Sequence, residues 1–336
     1  MARSLQTAEW DERMFELLIK RALQSALVVL IMSLIAFVGI NVVGDPIYLL
    51  VAPDANQLEI EQAARSLGLH LPWYEQYWRF LVKAAHGDLG TSFVFNRSAI
   101  ELIVERIPAT LELAVLALFL ALVIGIPIGM WAGLRPGSVF HKMAMGFSIA
   151  GVTVPAFWLG LILILIFSVN LGWLPSGGRG PTTTLFGIEV SFLTWEGAKY
   201  VFLPAITLAM AQIGLVVRMT EAGTRDVALQ EYVKFARAKG VHGSRLMLRH
   251  IAPNVMIPII TVMGIEFGQL IAFSLVTESI FAWPGMGKLI IDSVLTLDRP
   301  VVVAYLMVTL VLFVVINFVV DVLYMILDPR LRTKSA

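Results

Sequence analysis

The sequence predicts an all-α polytopic membrane protein with six transmembrane helices. Of its 336 residues, 58% are hydrophobic and only 15% are charged, a balance that ordinary soluble domains do not have. Each of six apolar runs is long enough to cross the roughly 30 Å hydrocarbon core of a bilayer: 22–44, 109–133, 144–171, 200–217, 253–281 and 301–327. A soluble enzyme is therefore disfavoured.

The distribution of basic residues predicts the topology. Lys and Arg number 16 in the four segments expected on one side, which are 1–21, 134–143, 218–252 and 328–336. They number 9 in the three segments expected on the other side, which are 45–107, 172–199 and 282–300. Because basic residues concentrate in cytoplasmic loops, we expect both termini and the 218–252 loop in the cytoplasm. The first run lacks a small-residue cleavage site, so we expect a retained helix rather than a signal peptide.

This topology predicts the domain organisation. We expect a cytoplasmic N-terminal segment, a first transmembrane helix, an external segment, a core of five transmembrane helices that includes the cytoplasmic loop 218–252, and a cytoplasmic tail. Their respective boundaries are 1–21, 22–44, 45–107, 109–327 and 328–336.

The external segment is expected to be folded, because it contains aromatic residues at partly helical spacing followed by a turn-forming stretch, Gly87–Ser92. The aromatic residues are Trp73, Tyr74, Tyr77, Trp78 and Phe80. This pattern is typical of an interfacial helix, since amphipathic rings gather at the headgroup level. Direct contact with a substrate is the alternative.

The spans carry two further local predictions. Pro108 suits the first turn of the second span, where its missing N–H has no partner to lose. Small residues four apart allow helices to approach closely, and they occur in the second span at Gly125, Gly129 and Gly133 and in the fifth at Gly264 and Gly268.

The sequence offers little material for catalysis. There is no cysteine, and the five histidines have no metal-ligand spacing. A nucleotide-binding loop needs G-x-x-x-x-G-K-[ST], whereas the nearest stretch, Gly285–Lys288, lacks the upstream glycine and is followed by Leu289. Neither H-E-x-x-H nor G-x-S-x-G occurs, and no basic stripe interleaved with aromatics points to nucleic acid. Any energy supply must come from another subunit.

The most informative segment is the basic stretch 231–254 between the fourth and fifth spans. In a helix over about 231–239, one face carries Tyr232, Phe235, Ala236 and Lys239, while Lys234 and Arg237 point elsewhere. Gly240 is placed to end that helix in a left-handed cap. Ser244 could cap a following helix that runs to Pro253, where the fifth span begins. Composition alone leaves two partners open, namely anionic lipid headgroups and a protein.

The run Tyr232–Gly240 with its downstream Pro253 resembles the ATPase-contacting loop of ABC-importer permeases, in the dipeptide/oligopeptide branch. Further stretches along almost the whole chain look like the first permease subunit of that branch: Gly44–Pro46, Leu67–Leu69 with Pro72, Gly87–Ser92, Pro108–Leu113, Thr277–Gly287 and Leu327–Arg330. The resemblance implies a type I ABC-importer permease fold. It assigns ATPase coupling to Glu231, Tyr232, Phe235, Ala236, Arg237, Ala238, Lys239 and Gly240.

The resemblance also implies the partners and the cargo. We expect a second homologous permease, two cytoplasmic ABC ATPases, an extracytoplasmic binding protein and surrounding membrane lipid, in a bacterial inner membrane. Dipeptides or oligopeptides are the expected cargo, with glutathione, nickel complexes and glycosides as alternatives. This chain is expected to bind no cofactor, since ATP and Mg²⁺ belong to the ATPases. A self-contained secondary transporter is disfavoured, because inverted repeats and chained ionisable residues are not seen.

Two residues depart from the pattern of related loops and spans. Lys234 stands where general ABC-importer loops carry an acidic residue, and Glu266 stands where the fifth span usually carries Gln. A carboxylate inside a span must find water or a partner, so we expect Glu266, with Gln269 near it, to line the translocation pathway. The alternative is a hydrogen bond within the bundle, the role that we expect for Glu112, Glu278 and Asp321.

Overall fold

The structure is a computed structural model, and it describes residues 19–20, 23–39, 57–58, 65 and 70–327. Most predictions for the terminal segments 1–21 and 328–336 therefore lie outside the described residues, as do the stretches at Gly44–Pro46 and Leu67–Leu69. The described residues form two compact units. One comprises the described residues up to Glu105 together with Asp292–Val315, and the other comprises Arg106–Ile291 and the described residues from Ile316.

Helices dominate the described part of the chain. The α-helices are α1 Leu23–Gly39, α2 Trp73–Ala85, α3 Ala99–Leu134, α4 Val139–Thr153, α5 Ala156–Leu163, α6 Trp195–Ala228, α7 Glu231–Ala238, α8 Gly243–Leu246, α9 Ala252–Ile280, α10 Met286–Leu295 and α11 Arg299–Leu327. Two π-helical turns cover Ile164–Asn170 and Met247–Ile251, and a short antiparallel hairpin joins β1 Thr183–Leu185 to β2 Ile188–Val190.

Four helices are long and apolar enough to cross a membrane, and a bent pair could make a fifth span. The four are α3, α6, the continuous helix Gly243–Ile280 and Arg299–Val320 of α11. The described part of the first predicted span, α1, is shorter than these helices. The predicted number of six spans therefore stays a prediction.

The third predicted span, 144–171, is not one straight helix. Helices α4 and α5 meet at an angle of 104°, with Val154 and Pro155 between them in extended conformations. Proline disfavours the helical conformation of the residue before it and has no N–H for the helix ladder. Hydropathy does not register this break, because the apolar run continues across it.

Glycines bring α3 against α6 in the second unit. A Cβ atom added to Gly125, Gly129 or Gly133 would lie 2.5–2.8 Å from atoms of α6, including Thr220 and Thr224. These distances leave no room for any larger side chain. The predicted close packing at this glycine series is confirmed.

In the first unit, α2 packs one face against α1. The ring of Phe37 lies 5.4 Å from that of Tyr77 and 5.8 Å from that of Phe80, and Ser33 Oγ is 2.8 Å from the Tyr77 hydroxyl. The opposite face of α2 exposes its other aromatics, Trp73, Tyr74 and Trp78. The described part of the external segment is thus folded.

The turn after α2 is held by a buried carboxylate. Asp298, which is fully buried, accepts hydrogen bonds from Ser92 Oγ and from the Phe93 amide. Helix α3 then begins at Ala99, whose amide donates to Gly90 O at 3.0 Å. Pro108 consequently lies inside α3 and not in its first turn, so that prediction is wrong. The helix begins nine residues before Pro108, in a stretch that carries the charged residues Glu101, Glu105 and Arg106.

Candidate coupling and translocation site

Helix α7 is an amphipathic helix that packs its smaller apolar residues inward against α6 and α8. Val233 is 0% exposed and Ala236 is 6% exposed. Tyr232 and Phe235 are 44% and 61% exposed. An exposed aromatic pair on a helix whose other face is buried is suited to contact a partner.

The structure changes the composition of the predicted coupling face. Ala236 lies on the buried face, because it follows Val233 by three residues and both are small enough to pack under the helix. The exposed side consists of Glu231, Tyr232, Lys234, Phe235, Arg237, Ala238, Lys239 and Gly240. The Lys239 ammonium lies 4.4 Å from the centre of the Phe235 ring, a cation–π contact that places charge beside the apolar surface.

The end of α7 is the left-handed cap that the sequence predicts. Gly240 has φ +84°, its amide donates to Arg237 O at 2.9 Å, and the Val241 amide donates to Ala236 O at 3.1 Å. This pair of hydrogen bonds defines a Schellman motif. The predicted helix cap at Ser244 is wrong, because His242 occupies the N-cap position and Ser244 lies within α8.

The helix after the cap does not stop at Pro253. Helix α8, the π-helical turn Met247–Ile251 and α9 form one continuous helix, Gly243–Ile280, of 38 residues, about 57 Å long at 1.5 Å per residue. The prediction that a separate short helix ends at Pro253 is therefore wrong. A π-helical turn widens the helix by one residue, and here it immediately precedes the proline whose missing N–H would break a regular ladder.

Glu266 and Gln269 lie on this continuous helix. The carboxylate of Glu266 is half-buried, and its Oε2 accepts a hydrogen bond from Gln212 Nε2 of α6 at 3.1 Å. Gln269, one turn further along, is exposed. Gln212 Oε1 is buried and has no hydrogen-bond partner within the described part of the chain. The arrangement leaves a partly accessible carboxylate that is hydrogen-bonded to one side-chain amide.

Two other glutamates are structural centres, as the sequence predicts. Glu278 is 0% exposed. One carboxylate oxygen accepts from Thr110 Oγ1 at 2.7 Å and Ser274 Oγ at 3.0 Å, and the other accepts from the amides of Gly287 at 2.7 Å and Lys288 at 3.1 Å. The carboxylate thus caps α10, where a helix N-terminus favours negative charge. The side chain of Asp321 lies outside the described residues.

Glu112, the second of these centres, ties the loop after α5 to α3. One of its oxygens accepts from Arg179 Nη2 at 2.6 Å, and the other accepts from the Ser191 amide at 2.6 Å and the Ser191 hydroxyl at 2.7 Å. Arg179 also lies over the ring of Trp283 at 5.7 Å. Sequence reasoning missed Arg179, although it is the only basic residue between 172 and 194.

Near the other end of α6, a second polar group escaped sequence reasoning. The buried Glu221 lies 3.7 Å from His141 and 3.6 Å from Arg225.

Within the described residues, there is no group of three or more His, Cys, Asp or Glu side chains that could hold a metal ion. On the first unit, hydrogen bonds to Glu105 and then Glu101 raise the pKa of the Arg97 guanidinium above its ordinary value.

An exposed and capped basic helix that leads into a long transmembrane helix fits the class of transport permeases. The chain belongs to the family described as binding-protein-dependent transport system inner membrane component, which matches residues 125–333. The N-terminal component of the same kind of membrane protein matches residues 14–114.

Individual relatives agree with this family. The oligopeptide transport system permease protein AppB of Bacillus subtilis (strain 168) is 38% identical over 94% of this chain and 98% of its own length. The glutathione transport system permease protein GsiC of Escherichia coli (strain K12) is 36% identical over 96% of this chain and 100% of its own length.

A solved structure confirms the predicted fold class. The inward-facing MetNI methionine ABC transporter aligns with a TM-score of 0.53 and 17% identity, over 68% of this chain and 96% of that chain. At this identity the likeness concerns the fold alone. The family and these relatives, rather than the structural likeness, show that this chain is a multi-pass permease subunit of a bacterial ABC importer, which works in a complex with ATPase and binding-protein partners. ATP is hydrolysed by separate subunits.

Proposed function

We propose that this chain imports dipeptides or oligopeptides as one of two homologous permease subunits. In this proposal, an extracytoplasmic binding protein delivers the peptide, and two cytoplasmic ATPases bind ATP and Mg²⁺. The name of AppB supports an oligopeptide cargo, and the name of GsiC supports glutathione as the second candidate. The complex lies in the bacterial inner membrane, with both termini and the 218–252 loop in the cytoplasm.

The observation that carries the mechanism is that α7 leads, through the Gly240 cap, into the continuous helix on which Glu266 lies. The exposed aromatic pair Tyr232 and Phe235 sits in a groove of the ATPase, with the charged residues Glu231, Arg237 and Lys239 at its rim. Interface cores favour aromatic anchors, and rims tolerate charge. The Gly240 cap fixes the direction in which the chain leaves α7.

The continuous helix Gly243–Ile280 carries movement of α7 into the membrane. When ATP draws the two ATPases together, α7 moves with its ATPase, and a helix without an end at Pro253 transmits that displacement. The cavity between the permeases then changes the side to which it opens. The energy of this change comes from contacts that differ between the two states.

Glu266 and Gln269 line the cavity in this proposal. The half-buried carboxylate of Glu266 accepts one hydrogen bond from Gln212, which leaves acceptor positions available for a substrate. An ammonium group is the natural complement of a carboxylate in a site of low dielectric constant. Every linear peptide with a free N-terminus carries such a group, and so does glutathione.

Reconstitution of the complete complex with its binding protein tests the cargo. Uptake of labelled dipeptide, tetrapeptide and glutathione into proteoliposomes would be measured with ATP present, and nickel complexes and glycosides would be added as competitors. We expect ATP-dependent uptake of peptides. Competition by a glycoside or a nickel complex at concentrations at which unlabelled peptide does not compete would contradict the peptide proposal.

A further inference from the structure

The hairpin between α5 and α6 ends in an unusual turn. Leu185 pairs with Ile188, so Phe186 and Gly187 form a two-residue turn, and their φ angles are +51° and +83°. Both positive angles indicate a type I′ turn, which strongly prefers Asn-Gly or Asp-Gly. A bulky residue at positive φ is a genuine outlier. Phe186 is moreover 96% exposed. Both its backbone conformation and the exposure of its apolar ring to water are therefore unfavourable.

The base of the hairpin is rigid. Glu112 holds Arg179 before β1, and it holds Ser191 after β2. Arg179 also donates to Glu189 O. The same loop is joined to the end of α9, because the Gly178 amide donates to Phe281 O at 2.8 Å. A loop held in this way presents its tip with little conformational entropy left to lose on binding.

Strain kept at an exposed position on a rigid support is typical of a contact site. The tip offers an aromatic side chain flanked by two exposed aliphatic residues, Leu185 and Ile188. Exposed aromatic anchors of this kind contribute much of the binding energy in protein interfaces. We propose that Phe186 is the anchor through which this permease docks the extracytoplasmic binding protein. This inference rests on the proposed orientation, in which residues 172–199 lie outside.

Charge favours a protein over a lipid surface as the occupant. Segments that insert into anionic membranes combine apolar residues with Lys and Arg. Between Gly180 and Thr194 the only charged residue is Glu189, which is exposed beside the exposed Thr183 and Thr184. This hairpin therefore matches a protein face that has an apolar pocket with a neutral or basic rim. The binding protein is the extracytoplasmic protein with which members of this family work.

The variant Phe186→Gly tests docking without disturbing the fold. Glycine adopts positive φ without strain, so we expect the melting temperature of the complex to stay the same or to rise. If Phe186 anchors the binding protein, the KM for the binding protein in stimulated ATP hydrolysis should rise about tenfold, the effect of losing one strong contact. Asn96→Gly is the matched control, because it also replaces an exposed residue at positive φ, +52°, but lies outside this hairpin, and it should leave this KM unchanged.

A photoreactive amino acid at position 186 identifies the occupant in the intact complex. The binding protein of the complex, loaded with its own ligand, should become crosslinked on illumination. Crosslinks to lipid alone, or a KM for the binding protein that Phe186→Gly leaves unchanged, would overturn the proposal. Either result is distinguishable from failure of the proposed cargo, because that failure would appear as absent peptide uptake in the wild-type complex.

Discussion

At the scale of single residues, Glu278 shows how a buried carboxylate determines its neighbours. Its two oxygens accept from two hydroxyl groups and two amides. A Cβ atom on Gly285 would lie within contact distance of both carboxylate oxygens, and one on Gly287 would meet the backbone of Leu275. The glycines around Met286 are therefore required by close packing against α9, and not by a nucleotide. This explains why a stretch resembling part of a nucleotide-binding loop serves a structural purpose.

Removal of the Glu278 carboxylate should destabilise the permease. Glu278→Ala removes the acceptor of the Thr110 hydroxyl and of the Gly287 and Lys288 amides, and each unmet buried donor costs about 1–3 kcal/mol. We expect a large fall in melting temperature and in the amount of protein in the membrane, measured by fluorescence-detected size exclusion. Glu196→Gln changes an exposed glutamate and should behave as wild type. Equal stability of both variants would contradict the structural role of Glu278.

Neutralising Glu266 should change substrate preference instead of stability. Gln in Glu266→Gln keeps an acceptor for Gln212 but loses the negative charge that attracts an ammonium group. We expect uptake of peptides with a free N-terminus to fall about tenfold relative to N-acetylated peptides, the effect of one charged contact. Glu196→Gln, at an exposed position on α6, provides a control. If uptake and preference are unchanged in Glu266→Gln, then Glu266 serves packing alone.

At the scale of elements, the coupling segment separates what local pattern can predict from what it cannot. The Gly240 cap follows from local chemistry, because a helix end needs a left-handed residue and glycine provides it. The burial of Ala236 depends on the position of α6 and α8, and this information is not present in the spacing of α7 itself. The continuity through Pro253 likewise depends on a π-helical turn, which has no sequence signal comparable to that of a cap.

A residue that disfavours the left-handed cap should uncouple transport from ATP hydrolysis. In Gly240→Val, a β-branched side chain meets open space, but positive φ costs it at least about 1–2 kcal/mol. The cap then relaxes and turns α7 relative to the helix that follows. We expect ATP hydrolysis without matching uptake, while pull-down of the ATPases stays normal.

Gly137→Val is the control for this prediction. Gly137 also has a positive φ, +79°, and open space around its Cβ position, but it lies in the turn between α3 and α4. It therefore has the same strain outside the coupling segment. Wild-type uptake by Gly240→Val, or an equal defect in Gly137→Val, would remove the cap from the mechanism.

The contact between α3 and α6 gives a second prediction for elements. In Gly129→Ala the added methyl group would lie 2.5 Å from Thr220 Cβ, so the two helices must separate, at a cost of roughly 1–3 kcal/mol. Gly146→Ala is the matched control, since it lies inside α4 with open space at its Cβ position. We expect a lower melting temperature for the first variant and an equal or higher one for the second.

At the scale of the whole molecule, hydropathy predicts the membrane helices better than it predicts the path that the chain takes within and between them. Apolar runs predicted where membrane helices occur, because water must be excluded from about 20 residues in each. The 104° bend between α4 and α5 could not be read from them. Neither could the Glu112 and Arg179 pair, which joins positions 67 residues apart. Such contacts depend on tertiary structure, and a single sequence does not encode them in local spacing.

The final prediction concerns the assembled importer, and the chain is well suited to its test because it contains no cysteine. Phe235 and Thr184 are both exposed, and the proposed topology has Phe235 in the cytoplasm and Thr184 outside. A membrane-impermeant thiol reagent should label Thr184→Cys in intact cells and label Phe235→Cys only after the membrane is opened.

The same variant tests the partner of α7. Phe235→Cys should form a disulfide with a cysteine introduced in the ATPase groove, because the side chain is 61% exposed and belongs to the proposed anchor. Val233→Cys, fully buried against this chain, should not. Crosslinking of Phe235→Cys to lipid-bound probes, with no crosslink to any ATPase position, would assign α7 to the headgroups. The two measurements together therefore separate the orientation of the chain from the identity of its cytoplasmic partner.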